Sequence, residues 1–182
     1  MFSSGYRRRV SNQYPVTGPE KHVIWESDFG PSFVLAPNVL EVASYGFTQM
    51  VTNAIDHSAG QSVFVWMNQD ESNVSIVVPD NGTGIFQRIT TSLKLPDTRQ
   101  ALFGLSKGRL TTDPSKRTGE GVFFTSRMFD TFQIEANGPT FNHRDSSAHD
   151  RLREEKGICA KEAAPWMEIA INSARNTADV YA

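Results

Sequence analysis

Four groups of residues in this 182-residue chain have types and spacings that could do chemistry. The first is Gln49, Asn53 and Asp56, at i, i+4 and i+7, where a helix would align an amide, an amide and a carboxylate on one face. That stripe suits metal and phosphate work, and a plain solvated stripe would have the same spacing. The second is Asp80-Asn81-Gly82-Thr83-Gly84, which follows the strand-like alternation of Val74, Ile76 and Val78 and a Pro79 suited to a strand end. Asn81-Gly82 is a strong turn pair, and the second glycine, Gly84, lets backbone approach a ligand closely. A carboxylate at a strand end beside that turn can accept from the amino group of adenine, although Asp-Asn-Gly is also an ordinary hairpin signal. The third, from Leu105 to Thr118, sets Lys107, Arg109, Lys116 and Arg117 against the single acid Asp113, with Gly108 and Pro114. Its composition is that of a mobile basic loop, which could be a phosphate lid or an ordinary exposed loop. The fourth is Gly119-Glu120-Gly121, ahead of the apolar run from Val122 to Phe129. Glycines at a helix start expose backbone N–H groups, and the helix dipole favours an anion there.

The elements that must position these groups follow from periodicity and punctuation. Asn38 with Glu41 makes a capping-box pattern, and Leu40, Ala43, Phe47, Met50, Val51 and Ala54 recur at helical spacing, predicting a helix to about Ser58 that Ala59-Gly60 ends. Residues 62–67 and 72–78 predict two strands joined by a polar turn. A helix is expected over 85–93, and Asp97 can cap a short one through Phe103. Strands are expected over 131–136, 140–143 and 166–171. His22 to Phe29 reads as a first strand or extended lead-in, 145–163 as a surface helix or loop, and 172–182 as the start of a helix.

Bulk composition bounds the rest. The length fits one domain with a sizeable core: a polar N-terminal arm over 1–21, carrying Arg7-Arg8-Arg9, and one domain over 22–182. The arm could serve nucleic acid or a neighbouring subunit, but a solvated tail is the simpler reading. A net charge of -2 argues against direct nucleic-acid binding across the surface. A single cysteine, Cys159, excludes an intrachain disulfide and suggests a reducing compartment. With neither a signal peptide nor a membrane-length apolar run, the expectation is a cytoplasmic protein without a membrane role.

The order of the four groups resembles the GHKL superfamily of ATP-binding domains, which includes gyrase B, histidine kinases and the MutL proteins. It resembles in particular a bacterial branch of histidine-kinase-like ATPase domains. The stretch from Phe47 through Asn53 to Ser58 is similar to that branch's first box. Lys107 to Pro114 and Thr118 to Asp130 are similar to its later segment. The likeness spans roughly His22 to Ile171. It implies the Bergerat fold, an α/β two-layer sandwich with a mixed β-sheet and helices on one face. It also implies ATP and Mg²⁺: Asn53 on the metal, Asp80 on the adenine amino group, and Gly82 and Gly84 against the base. Lys107, Lys116 and Arg117 would meet phosphate charge, and Gly119 and Gly121 would offer N–H groups to the phosphates. Two departures matter. The water-activating Glu of the superfamily is Gln49 here, and the Lys that many histidine kinases carry three residues after the Asn is Asp56.

These residues lead to an ATP–Mg²⁺ binding regulatory domain with weak or absent hydrolysis. The alternatives are an active ATPase or serine kinase acting on a partner protein, and a nucleotide-sensing module of a transcription regulator. A protein partner, an additional domain and a homodimer stay open as partners beside the adenine nucleotide. A self-phosphorylating histidine kinase is disfavoured, because its phosphoacceptor and dimerisation helices have no room in this chain.

Overall fold

The computed structural model describes residues 8–57, 59–79, 81–108, 118–136, 138–146, 151–154 and 164–180. Seven strands form one sheet: β1 (Arg8–Pro15), β2 (Ser62–Gln69), β3 (Asn73–Val77), β4 (Thr131–Glu135), β5 (Pro139–Arg144), β6 (Arg151–Glu154) and β7 (Ala164–Ala170). Their order is β1-β2-β3-β7-β4-β5-β6. The helices are α1 (Lys21–Ile24), α2 (Pro37–His57), α3 (Ile85–Ser92), α4 (Thr98–Ser106) and α5 (Thr118–Met128).

The sheet is antiparallel at every pairing, not mixed as expected. The reason is β7. The chain leaves β3, passes through α3, α4 and α5, and returns as β4 in the same direction as β3. The two would pair in parallel if adjacent, but β7 lies between them, antiparallel to both.

One face of the sheet is buried and the other open, as period-2 patterning requires. Val63, Val65, Met67, Val74, Ile76, Met167, Ile169, Phe132, Ile134 and Phe141 are buried. Between them, Phe64, Trp66, Trp166, Glu168, Gln133 and Asn142 turn to the other face, which stays partly or fully exposed. Buried Val39, Val42, Ala43, Phe47, Met50, Val51 and Ala54 of α2 complete the core from the helical side. The α/β two-layer arrangement is therefore present.

Several local expectations change. Residues 8–15, read as part of a polar arm, form edge strand β1. It is anchored by its inward residues: Tyr14 donates to Asp28, and Asn12 Nδ2 lies 3.1 Å from Tyr14 Oη. Burial and that bond push the Tyr14 hydroxyl up to about 12, and the same bond holds Asp28 below the usual carboxylate range. Residues 22–29 are not a strand. They form α1 and one turn of π-helix over Trp25–Phe29, which buries Ile24, Trp25 and Phe29 together. Helix α2 opens on Pro37, whose missing N–H costs nothing there.

Asn38 and Glu41 do not make a capping box. Asn38 Nδ2 donates to the carbonyls of Ser173 (2.7 Å) and Arg175 (2.9 Å), and Glu41 accepts from Thr177. Arg175 in turn reaches Asp130 (3.0 Å), Asp145 (2.5 Å) and the Arg127 carbonyl (2.8 Å). The segment after β7 is thus a strap across α2 and the end of α5, closing in a 3₁₀ turn over Thr177–Val180 where a helix was expected. Part of the 145–163 stretch is strand β6. Asp97 does cap α4, accepting from Gln100 N at 3.1 Å.

Gly46 sets the depth of α2. A Cβ there would stand 2.6 Å from Phe129 Cζ and 3.1 Å from Met167 Sδ. Gly46→Ala is expected to destabilise, because overpacking costs about 1–3 kcal/mol and the gain in helix propensity returns at most about 1 kcal/mol. A urea midpoint at or above that of the parent would mean that Phe129 swings aside freely.

On the open face, burial pushes the Glu168 carboxyl up, with Asp70 and Asp130 adding and Arg144 opposing. A raised folded value means the group's contribution is fully present below its unfolded value, about 4.3, and is lost as pH rises through the folded value. Glu168→Gln should therefore raise the thermal midpoint more at pH 7 than at pH 4. An equal rise at both pH values would locate the effect elsewhere.

Candidate functional site

Helix α2 carries Gln49 and Asn53 because its apolar stripe is spent on the core, leaving these amides off that stripe, with Gln49 against α5. Asn53 Nδ2 is buried and has no hydrogen-bond partner. An unpaired buried amide is costly, typically about 1–3 kcal/mol, so the position asks for a ligand or water. Turning the carboxamide over presents its oxygen to the same spot, so the group can serve a cation as readily as an acceptor.

Gln49 lies against the first turn of α5. A Cβ on Gly121 would overlap Gln49 Oε1 and stand 3.3 Å from its Cδ. Gly121 therefore gives Gln49 room. It is the fourth residue of α5, so the N–H groups without an intrahelical partner belong to the residues before it, Gly119 among them. One turn further along the same face, the Thr125 hydroxyl is fully buried and unpartnered. Periodicity could have flagged Thr125 as Gly121 plus four.

Asp56 is engaged elsewhere. Lys21 Nζ, from α1, binds its Oδ2 at 2.8 Å, with both side chains about three-quarters buried (28% and 27% exposed). No local signal in the sequence announces this pair, since the residues are 35 apart.

The turn after β3 is built as a platform. Asn81 Oδ1 accepts from Gln61 N (3.0 Å) and Ser62 N (3.4 Å), tying the turn to the start of β2. Gly84, the residue before α3, has a positive φ of 81 with ψ 144, a backbone conformation that side chains rarely adopt. Gly82 lies between them, part-exposed. Lys107 follows α4, with Nζ 5.8 Å over the exposed Phe103 ring. Asp80, Lys116 and Arg117 lie outside the described residues, as does most of the basic loop.

Two cavities adjoin these elements. One, of about 640 Å³, runs along α2 past Trp25, Leu40, Glu41, Tyr45 and Thr177 and ends at Gln49. The other, about 550 Å³, lies on the open face of the sheet, where Phe64, Trp66, Pro79 and Asn81 line it. Only the first reaches a residue of the candidate site on α2.

Among the described residues, no three His, Cys, Asp or Glu side chains come together to hold a metal ion. A metal here would have to take Asn53 plus ligand oxygens and water. Mg²⁺ accepts such a set, because it keeps several waters and binds through substrate phosphates. No helix among the described residues is long and apolar enough to cross a membrane. No protein-family model matches the chain, and no curated protein is similar enough to count as a relative.

Proposed function

We propose that this chain is an adenine-nucleotide binding domain of the GHKL type that holds Mg²⁺–ATP with little turnover. The observation that carries the reading is the meeting of Gln49 with the first turn of α5, beside a buried Asn53 amide that lacks a partner. A helix start attracts an anion through its dipole and its first N–H groups, and the neighbouring amide can orient it or its metal. When bound, Mg²⁺ would supply charge neutralisation at the phosphates. Asn53 would hold it, Gly119 would donate its N–H to phosphate, and Gly84 would let the base lie against backbone. Asp80 would read the adenine amino group.

Slow turnover follows from Gln49. A neutral amide orients water but cannot take its proton, and a general base contributes about 10²–10⁴-fold to rate. Asp56, the nearest other acid on α2, is held by Lys21 and does not substitute. These features favour a binding and regulatory role over an ATPase or kinase. A nucleotide-sensing part of a transcription regulator is the second reading, with which a neutral Gln49 is equally compatible.

Titration calorimetry tests the binding. ATP should bind more tightly than GTP, because an ionised carboxylate accepts from an amino group and repels the guanine carbonyl. Asp80→Ala should weaken ATP by about 1.5–3 kcal/mol. Equal affinity for ATP and GTP would remove Asp80 from the site. Steady-state phosphate release tests the chemistry: Gln49→Glu is expected to raise it at least ~10²-fold over the parent. Brisk release by the parent protein would refute the inert-base assignment.

A further inference from the structure

We infer that the open face of the sheet is where two copies of this chain pair, back to back, with their helices outward. Alternate residues of each strand reach this face, and the register aligns them in rows across the sheet. The middle row holds Ser11, Trp66, Val77, Trp166, Gln133 and Asn142. Arg9, Glu168 and Arg144 stand in the row on one side of it, and Phe64, Ala164 and Glu135 in the row on the other. Both tryptophans are partly exposed, Phe64 is 37% exposed, and outside β6 the face carries no lysine. Aromatic enrichment with lysine depletion is the composition of a protein interface. The size also suits a dimer. Seven strands about 4.8 Å apart, most of them five to eight residues long, outline a surface on the order of 600 Å². Projecting side chains raise its accessible area toward the roughly 800 Å² per partner of a standard interface.

The charges select a second copy as the occupant and fix its orientation. Outside β6, one outer row carries Arg9, Glu168 and Arg144, and the other carries Glu135 alone, so the two rows have opposite net charge. A twofold axis along the middle row lays each outer row on the other and keeps the strands of the two sheets aligned, as face-to-face sheets pack. Trp166 then meets its own counterpart, and Arg144 of each copy lies across from Thr140 and Glu135 of the other. Neither Arg144 nor Glu135 makes an ion pair among the described residues. The hollow of about 550 Å³ beside Phe64 and Trp66 falls under Arg9 of the second copy, whose guanidinium can lie over the rings. A twofold along the strands is disfavoured by β7. It is the central strand, so Glu168 would face its own counterpart, two partly buried carboxylates together. The candidate site on α2 lies behind the sheet, so pairing leaves it open in both copies, and the inference stands apart from the nucleotide reading.

Sedimentation velocity on the full chain tests it. The parent should be a dimer at ~10 μM, because standard-size interfaces hold at micromolar concentration or tighter. Arg144→Glu and Glu135→Arg should each raise the dissociation constant about 10-fold or more, since each reverses a charge at two symmetry-related pairs. The double variant should return to within about threefold of the parent, as coupled partners do. Circular dichroism like that of the parent shows that each variant is folded. A monomeric parent leaves the face to another partner and overturns the inference. A dimer indifferent to both single changes, or a double variant as weak as the singles, overturns it as well.

Discussion

The constraint on which the candidate site depends is the close packing of α2, made possible by two missing side chains. Gly46 lets α2 press onto Phe129 and Met167, and Gly121 lets the first turn of α5 close on Gln49. Protein interiors are packed like crystals, so a helix pushed outward by one methyl group carries its neighbours with it. Phe129 follows α5 directly, so the depth of α2 and the position of α5 are set by the same contact. Gln49 and Asn53 inherit their placement from that contact, having no hydrogen bonds of their own to fix them among those the structure gives.

The other end of the helix pair is fastened by polar groups. Asn38 and Glu41 at the start of α2 hold the strap after β7, and Arg175 on the strap holds Asp130, Asp145 and the last turn of α5. The Arg175 guanidinium keeps the Asp145 carboxyl below the usual carboxylate range. Asp130 also accepts from Ala170 N at 2.8 Å, so β7 is fixed by the same cluster. Ion pairs this exposed add little one by one; several that share one guanidinium and one backbone segment gain geometry more than energy. The amide site and the strap thus lie toward opposite ends of the α2–α5 pair, and Thr177 links them by lining the groove that reaches Gln49.

What the sequence made legible was local and periodic. The extent of α2, the cap at Asp97, the β2–β3 hairpin and the start of α5 all follow from apolar spacing and turn chemistry within a few residues. What it hid was long-range. β7 inserts between β3 and β4 and makes the sheet antiparallel, and nothing within β7 itself specifies its neighbours. Asn38 and Glu41 match a capping box, but their side chains meet partners about 135 residues away. Strand β1 is polar enough to read as a tail because half of it faces water at a sheet edge, and its inward half is held by Asn12 and Tyr14 more than by apolar residues. Residues 22–29 alternate well enough for a strand, yet Trp25 and Phe29 both pack tilted against Phe47, at 5.1 and 4.9 Å between ring centroids, which a helical turn brings about by placing positions four apart on one side. Of the candidate site, Gln49, Asn53 and the glycines of α5 could be named from spacing. Their meeting could not, nor could Lys21.

The charge arrangement around α2 gives the site its character. Position 49 is neutral, position 53 is neutral, and the carboxylate at 56 is cancelled by an ammonium from α1 that lies in no motif. Glu41, further back, has its carboxylate engaged by Thr177. This flank of α2 therefore carries no carboxylate that lacks a partner, while the first turn of α5 brings an acid of its own, Glu120. A site meant to activate water needs a base here and accepts the repulsion that comes with it. A site meant to retain a polyphosphate gains by removing that charge, and each ordinary source of it on α2 is either replaced or paired. On the proposed reading, the neutral Gln49 and the pairing of Asp56 by Lys21 act in the same direction: both would lower the electrostatic cost of holding a highly charged ligand beside α2.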